Sequence, residues 1–334
     1  MKPVFRVTAD GSDITAAIRD RLVSLRVIDE AGEDSDTLEI VIDDRDGVVE
    51  LPRKGVELEV WLGFDADAVG MGLYVVDEVG VTFVPAQMRI TARAANFSNS
   101  DTARDRRASL REPRSRDWHQ VTLGDMVEEI AGEHGFEARV SDELAAIELE
   151  HVDQIDESDL NLLMRLARNH DALAKPAGGR LLVLPRSDMR TADGRQPDPV
   201  TITPEDISGG SVVMPERSRY ASVVAHYHDA ELGEEVEIQA GEGEPVFRVR
   251  REYPDADSAR SAAEARLRAF ERGAVELTLD LPGNPMVAAG TPVQLTGFRQ
   301  GIDRSYRTER AEHVLDGRGL HTRIRAEGDN AGNE

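Results

Sequence analysis

The chain has 334 residues, of which 40% are apolar, enough for two or three domains with sizeable cores. Acidic residues outnumber basic ones 64 to 40, and the resulting net charge of -24 repels a phosphate backbone and argues against sequence-specific nucleic-acid binding. Cysteine is absent, which excludes disulfides, thiolate nucleophiles, iron–sulfur clusters and cysteine-ligated zinc, while aromatic residues at 4% leave little material for base-stacking or sugar-binding platforms.

Residues 1–100 alternate apolar and polar with period two, as half-buried antiparallel strands do. The runs carry Val23, Leu25 and Val27, then Leu38, Ile40 and Ile42, then 56–62, then Leu73, Val75, Val79, Val81 and Phe83 around an interrupting Asp77, then 89–92. Turn signals at Asp10-Gly11, 31–34, Asp46-Gly47 and 51–55 separate them, and strands so closely spaced predict a barrel or sandwich. Residues 101–117, with Arg104, Arg106, Arg107, Arg111, Arg114 and Arg116, break the pattern and read as a linker or exposed loop. Thr122 then caps a predicted helix with Leu123, Met126, Val127 and Ile130 on its apolar face and Gly135 at its left-handed end. A second helix is predicted from Ser158 to near His170, with Leu160, Leu163, Leu166 and Ala167 inward, followed by a strand over 180–184. Residues 185–204, rich in Pro, Asp, Gly and Thr, mark a loop or domain seam.

The last third returns to strands at 223–227, 246–249, 275–281, 293–295 and 320–326. One helix interrupts them over 257–272, capped by Asp257 or Ser258, with Ala259, Ala262, Ala263, Leu267 and Phe270 on one side. The expected fold class is therefore β-rich α+β: a first β-domain, barrel or sandwich, at 1–100, a linker and α+β insert at 101–205, a second β-domain with one helix at 206–327, and a disordered tail at 328–334.

Chemistry-bearing patterns are sparse. The eight histidines are scattered, and only His226-Tyr227-His228-Asp229 is dense enough to suggest a metal; without a third ligand in view it reads as a solvated strand face. Carboxylate pairs such as Asp43 with Asp44 and Glu128 with Glu129 arise by chance among 64 acids, and a glycosidase dyad would also need aromatic sugar platforms. No nucleophile elbow, phosphate-binding loop or dinucleotide fingerprint occurs, and Gly178-Gly179-Arg180 reads as a turn. No catalytic residue, cofactor or metal is expected. Likewise no run approaches the roughly 18 apolar residues of a membrane span.

A resemblance emerges from the order of local features: 3–7, Asp13-Ile14-Thr15, 21–29, 35–40, Leu51-Pro52 to Gly55, Leu62-Gly63, Met71-Gly72 and 76–79. The most specific stretch is His151-Val152-Asp153-Gln154 leading to Glu157-Ser158-Asp159-Leu160 and 163–166. In these features the chain resembles the phage late control protein D family, and it is similar in the same segment to the hub part of type VI secretion spike proteins. The resemblance implies a hub-type tail protein, made in the bacterial cytoplasm and assembled into the baseplate of a virion tail or related injection particle. It implies a homotrimer whose six barrel-like domains form a ring joining a sixfold tail tube protein to a threefold spike, with tape measure and baseplate wedge proteins as further neighbours. Longer spike relatives continue into an oligonucleotide-binding-type barrel and a needle, so this chain is expected to need a separate trimeric spike protein.

Within that frame Gln154, Glu157, Ser158, Asp159, Leu160, Leu163 and Leu166 form a helix cap and core, with a subunit contact as the alternative. The competing functions are a tail-associated peptidoglycan hydrolase and a soluble adaptor or regulator.

Overall fold

A computed structural model describes residues 2–31, 36–65, 67–94, 109–177, 179–186, 198–214, 220–229, 233–272 and 275–328. The N-terminal elements are β1 (Pro3–Ala9), β2 (Ser12–Asp13), α1 (Thr15–Arg19), β3 (Leu22–Glu30), β4 (Thr37–Asp43), β5 (Glu57–Phe64), β6 (Asp67–Phe83) and β7 (Ala86–Ala94). The middle holds β8 (Pro113–Thr122), α2 (Leu123–Glu133), β9 (Glu137–Val140), α3 (Asp142–Ala145), β10 (Glu148–Ser158), α4 (Asp159–Asn169), β11 (Ala172–Ala177) and β12 (Arg180–Pro185). There follow β13 (Val200–Ile202), β14 (Gly209–Val213), β15 (Ser222–Asp229), β16 (Glu234–Gly241), β17 (Val246–Tyr253), α5 (Ala256–Arg272), β18 (Val275–Leu281), β19 (Pro292–Leu295), β20 (Ser305–Asp316) and β21 (Gly319–Gly328). No helix among the described residues is long and apolar enough to cross a membrane.

Two compact units share the chain. Unit 1 is drawn from 1–100, 197–212 and 276–327, and unit 2 from 101–196 and 213–275. In unit 1 one sheet runs in the order β14-β18-β21-β20-β3-β4-β7-β6-β5-β1-β2, with β19 pairing β20 and β13. The join is β3, which pairs antiparallel with β4 on one side and with β20 on the other, from Glu30 opposite Arg310 to Ser24 opposite Asp316. Asp29 adds a tie across 260 residues, its Oδ2 accepting from the Ala289 N–H at 2.9 Å. The main core packs Leu25, Val27, Leu38, Ile40, Ile42, Leu58, Val60 and Leu62 with Leu315 and Leu320. Each residue comes from alternate positions of its strand, as the pleat requires.

Several expectations need correction. The strands of 206–327 do not stay together: β15, β16, β17 and α5 belong to unit 2, whereas the strands from 276 onward join the N-terminal sheet. The reason is that β3 has two open edges, and β20, whose inward positions are Tyr306, Thr308, Ala311, His313 and Leu315, completes the second. Val23 is exposed because the pairing of β3 with β4 slips between Leu22 and Ser24. In β6 the buried face carries Tyr74 and Val76, not the odd-numbered apolar run, and Phe83 is 84% exposed. Register shifts at Val60/Trp61 and Val76/Glu78 reset that face, and the Tyr74 hydroxyl finds the Met71 carbonyl at 2.7 Å.

Unit 2 is assembled from small pieces. β8 and β10 form an antiparallel ribbon; β9 lies parallel to β12, which pairs with β11; and β15 lies between antiparallel β16 and parallel β17. α5 packs Ala259, Ala262 and Ala263 against Val223, Ala225, Ala240 and Tyr253, the small side chains permitting close approach. Its first turn is capped by Asp255, which accepts from the Ser258 N–H at 2.7 Å, rather than by Asp257 or Ser258, because Asp255 stands three residues before the free amide. The arginine run is not wholly a loop. Arg114 and Arg116 lie in β8, where carboxylates neutralise them, while Arg104, Arg106 and Arg107 fall outside the described residues, as do Gly178, Gly273 and 329–334.

Candidate functional site

The densest polar cluster of unit 2 grows from the β8–β10 ribbon. Alternation turns Trp118, Val152 and Gln154 inward, and Gln154 stands opposite Arg116. The register then slips between Gln154 and Glu157, with Asp156 in the left-handed region at φ 47° and its N–H donated to Ser115 Oγ at 3.0 Å. That bulge re-aims the chain into α4. Ser158 caps the helix, its Oγ accepting from the Asn161 N–H at 3.3 Å, and Asp159 at the first helical position is wholly buried.

Asp159 is the centre. Its Oδ1 accepts from Arg116 Nη2 at 2.7 Å and Gln154 Nε2 at 2.8 Å, and its Oδ2 faces His134 Nε2 at 2.7 Å and Arg114 Nη1 at 3.6 Å. Glu133 at the end of α2 takes both guanidinium groups, from Arg114 at 2.8 Å and Arg116 at 2.9 Å. Gln154 returns its Oε1 to Arg116 Nε at 3.0 Å, and the Arg116 guanidinium stacks over Trp118 at 4.5 Å. Two cations and two carboxylates therefore cancel inside the cluster, which is the condition under which buried charge is tolerated. Burial pushes the Asp159 carboxyl upward, but hydrogen bonds from Gln154 and His134 and the Arg116 charge outweigh it and hold the group below the usual carboxylate value.

Of the seven residues expected from sequence, the structure brings Gln154 and Asp159 into this network and sets Ser158 as the cap. Glu157 lies beside it, accepting from Arg165 at 2.7 Å. Leu163 and Leu166 are buried with Leu162, whereas Leu160 is half-buried. Sequence reasoning missed Arg114, Arg116, Glu133 and His134. The available signal was the Arg114–Arg116 spacing, which puts both on one face of a strand, but the bulge that sets them against α4 left no mark.

Glu133, His134 and Asp159 offer donor atoms close enough together for a metal ion. Their oxygens already face two guanidinium groups, so a further cation would be repelled. Ser109, His134 and Asp159 also line up, with the Ser109 hydroxyl 2.7 Å from His134 Nδ1. In a nucleophilic triad Nε2 faces the serine and Nδ1 the aspartate. Here the ring is reversed and the aspartate is held by arginines, so the alignment reads as a structural tie. His226 and His228 stay on β15, with Glu235 3.9 Å from His226 as an ion-pair neighbour.

A β-rich, two-unit architecture with its most elaborate polar site locked by its own arginines has the fold of phage tail proteins. The 43 kDa tail protein of prophage MuSo2 from Shewanella oneidensis aligns with a TM-score of 0.70 at 13% identity, covering 99% of this chain and 100% of that one. A tail protein from Neisseria meningitidis aligns at 0.68 and 12%, covering 98% and 97%. The family profile described as phage tail baseplate hub (GPD) matches residues 86–318. Probable baseplate hub proteins of Escherichia phages 186 and P2 are each 30% identical over 98% of this chain and 93% of their own length. The chain belongs to the phage tail baseplate hub (GPD) family.

Proposed function

We propose that this hub joins a sixfold tail tube to a threefold spike as a homotrimer, with a separate trimeric spike protein as its principal partner. The observation that carries the reading is the whole-length likeness to baseplate hub proteins of two phages, which spans both units. In this reading β1 to β7 form one barrel-like domain of unit 1, and β13, β14 and β18 to β21 the other. Three subunits then present six such domains to the tube, which resolves the mismatch between six and three. The chain is made in the bacterial cytoplasm and enters the virion with the baseplate, flanked by tape measure and wedge proteins. Size-exclusion chromatography with light scattering, on the chain alone and mixed with the product of the neighbouring spike gene, tests it. A trimer or a three-to-three complex is expected; a monomer indifferent to the spike contradicts the proposal.

The second reading, a tail-associated peptidoglycan hydrolase, would have to draw on the Ser109–His134–Asp159 alignment. It predicts labelling by a fluorophosphonate probe and clearing of a peptidoglycan zymogram. The reversed ring and the arginine-bound aspartate predict neither.

A further inference from the structure

The outer face of the β8–β10 ribbon carries two cross-strand pairs of polar side chains. His119 and His151 stand directly opposite each other, and the next pair on the same face is Asp117 opposite Asp153. The pair between them, Trp118 and Val152, is buried on the other side, so the ribbon is anchored and this face looks outward. The imidazole rings lie 4.5 Å apart between centroids, with the two Nδ1 atoms 3.0 Å apart. His151 Nε2 sits 2.8 Å from Asp153 Oδ1.

We propose that His119 and His151 form a cross-strand chelate for a borderline divalent transition-metal ion, Zn²⁺ or Ni²⁺ in type. The chemistry follows from the proton on His151. Donating Nε2–H to Asp153 leaves the Nδ1 lone pair of the neutral ring facing His119. A carboxylate behind the distal nitrogen is the arrangement that orients metal-ligating histidines and raises their basicity. Two nitrogens each about 2.0–2.1 Å from one ion stand about 2.9–3.3 Å apart for ligand angles between a right angle and the tetrahedral value, which brackets the spacing seen here. Imidazole nitrogen suits Zn²⁺ and Ni²⁺ better than Mg²⁺ or Ca²⁺. Asp117 adds negative charge on the same face, and solvent supplies the remaining ligands, since the His151 side chain is 48% exposed. A bound ion clamps β8 to β10 from outside, across the ribbon whose inner side carries Arg116 and Gln154. The competing explanation for the contact is a simple Nδ1–H···Nδ1 hydrogen bond with no metal.

The test uses the full-length chain without a histidine tag, stripped with a chelator and titrated with ZnCl₂ or NiCl₂ by calorimetry. One ion per chain is expected, with His119→Gln and His151→Gln each abolishing the saturable binding. Asp153→Asn should weaken it by about 10- to 100-fold, the usual effect of losing a carboxylate behind a ligating histidine. The double variant His226→Gln/His228→Gln should bind as the wild type does. Nitrogen-15 spectra of the histidine rings provide a readout that needs no variant: the His119 and His151 signals should shift on adding Zn²⁺. Absence of saturable binding, or binding that persists unchanged in both His119→Gln and His151→Gln, overturns the proposal and leaves the hydrogen bond as the explanation.

Discussion

Unit 1 and unit 2 each bury a histidine, and they accommodate it in opposite ways. His313 on β20 is fully buried between neutral partners, the Thr322 hydroxyl at 2.9 Å from Nδ1 and the Val287 carbonyl accepting from Nε2 at 3.0 Å. Burial pushes its pKa from 6.5 down to about 4. His134, 2% exposed, instead faces a carboxylate that two arginines also hold. A polar ring can thus be buried beside neutral groups that match its hydrogen bonds or beside an opposite charge. In unit 1 the unfolded state takes up a proton that the folded state refuses, so the stability His313 confers is full above pH 6.5 and is lost as the pH falls toward 4. In unit 2 the lowered Asp159 pKa confers stability that is full above its ordinary value of 3.8 and lost only below it.

The largest effect should come from Asp159→Ala, which leaves Arg116 and His134 without their shared partner; breaking a buried pair costs about 3–5 kcal/mol. Thermal or urea unfolding should show that loss, and proteolysis should place it in unit 2. The counterpart in unit 1 is Gly63→Ala. A Cβ there would lie 2.0 Å from the Asp67 carbonyl oxygen in the tight β5–β6 hairpin, and since the obstacle is backbone, a cost of about 3 kcal/mol is expected in urea unfolding. Next comes the pH dependence. Between pH 7 and pH 5 the His313 contribution should fall by about 2 kcal/mol, measured as the drop in unfolding free energy that His313→Gln removes. Smallest is Ser158→Ala, which deletes the cap of α4 and should lower stability by about 1 kcal/mol, with helix signal and assembly otherwise retained.

How far these features could be read from sequence depended on whether their cause was local. Leu38, Ile40 and Ile42 announce a strand because three large apolar side chains share one face, and Thr122 and Ser158 announce helix starts because a cap acts within three residues. β20 escaped because its inward face includes Thr308, Ala311 and His313, which carry little hydrophobic contrast. Its pairing with β3, some 280 residues earlier, is a long-range choice, so the interleaving of the two units stayed hidden. Half of the candidate site was legible in the same sense. Asp159 stands out as a helix-start acid, but its partners Arg116 and His134 come from other elements, and only the ribbon register and its bulge bring them together. The same register places His119 beside His151 from 32 residues away.

Hydrogen exchange with mass spectrometry, on the wild type and on His313→Gln from pH 7 to pH 4.5, tests most directly the claim that the two units are held by different chemistry. The pKa of His170 at the end of α4 is also lowered, by burial and by Arg268, so an acid response in unit 2 is common to both proteins, and the difference between them isolates His313. The account predicts that peptides from β3, β20 and β21 lose protection below pH 6.5 in the wild type but not in the variant, while those from β8, β10 and α4 behave alike in both. Equal loss in both proteins, or a variant effect that reaches β8 and α4 as strongly as β20, would contradict it.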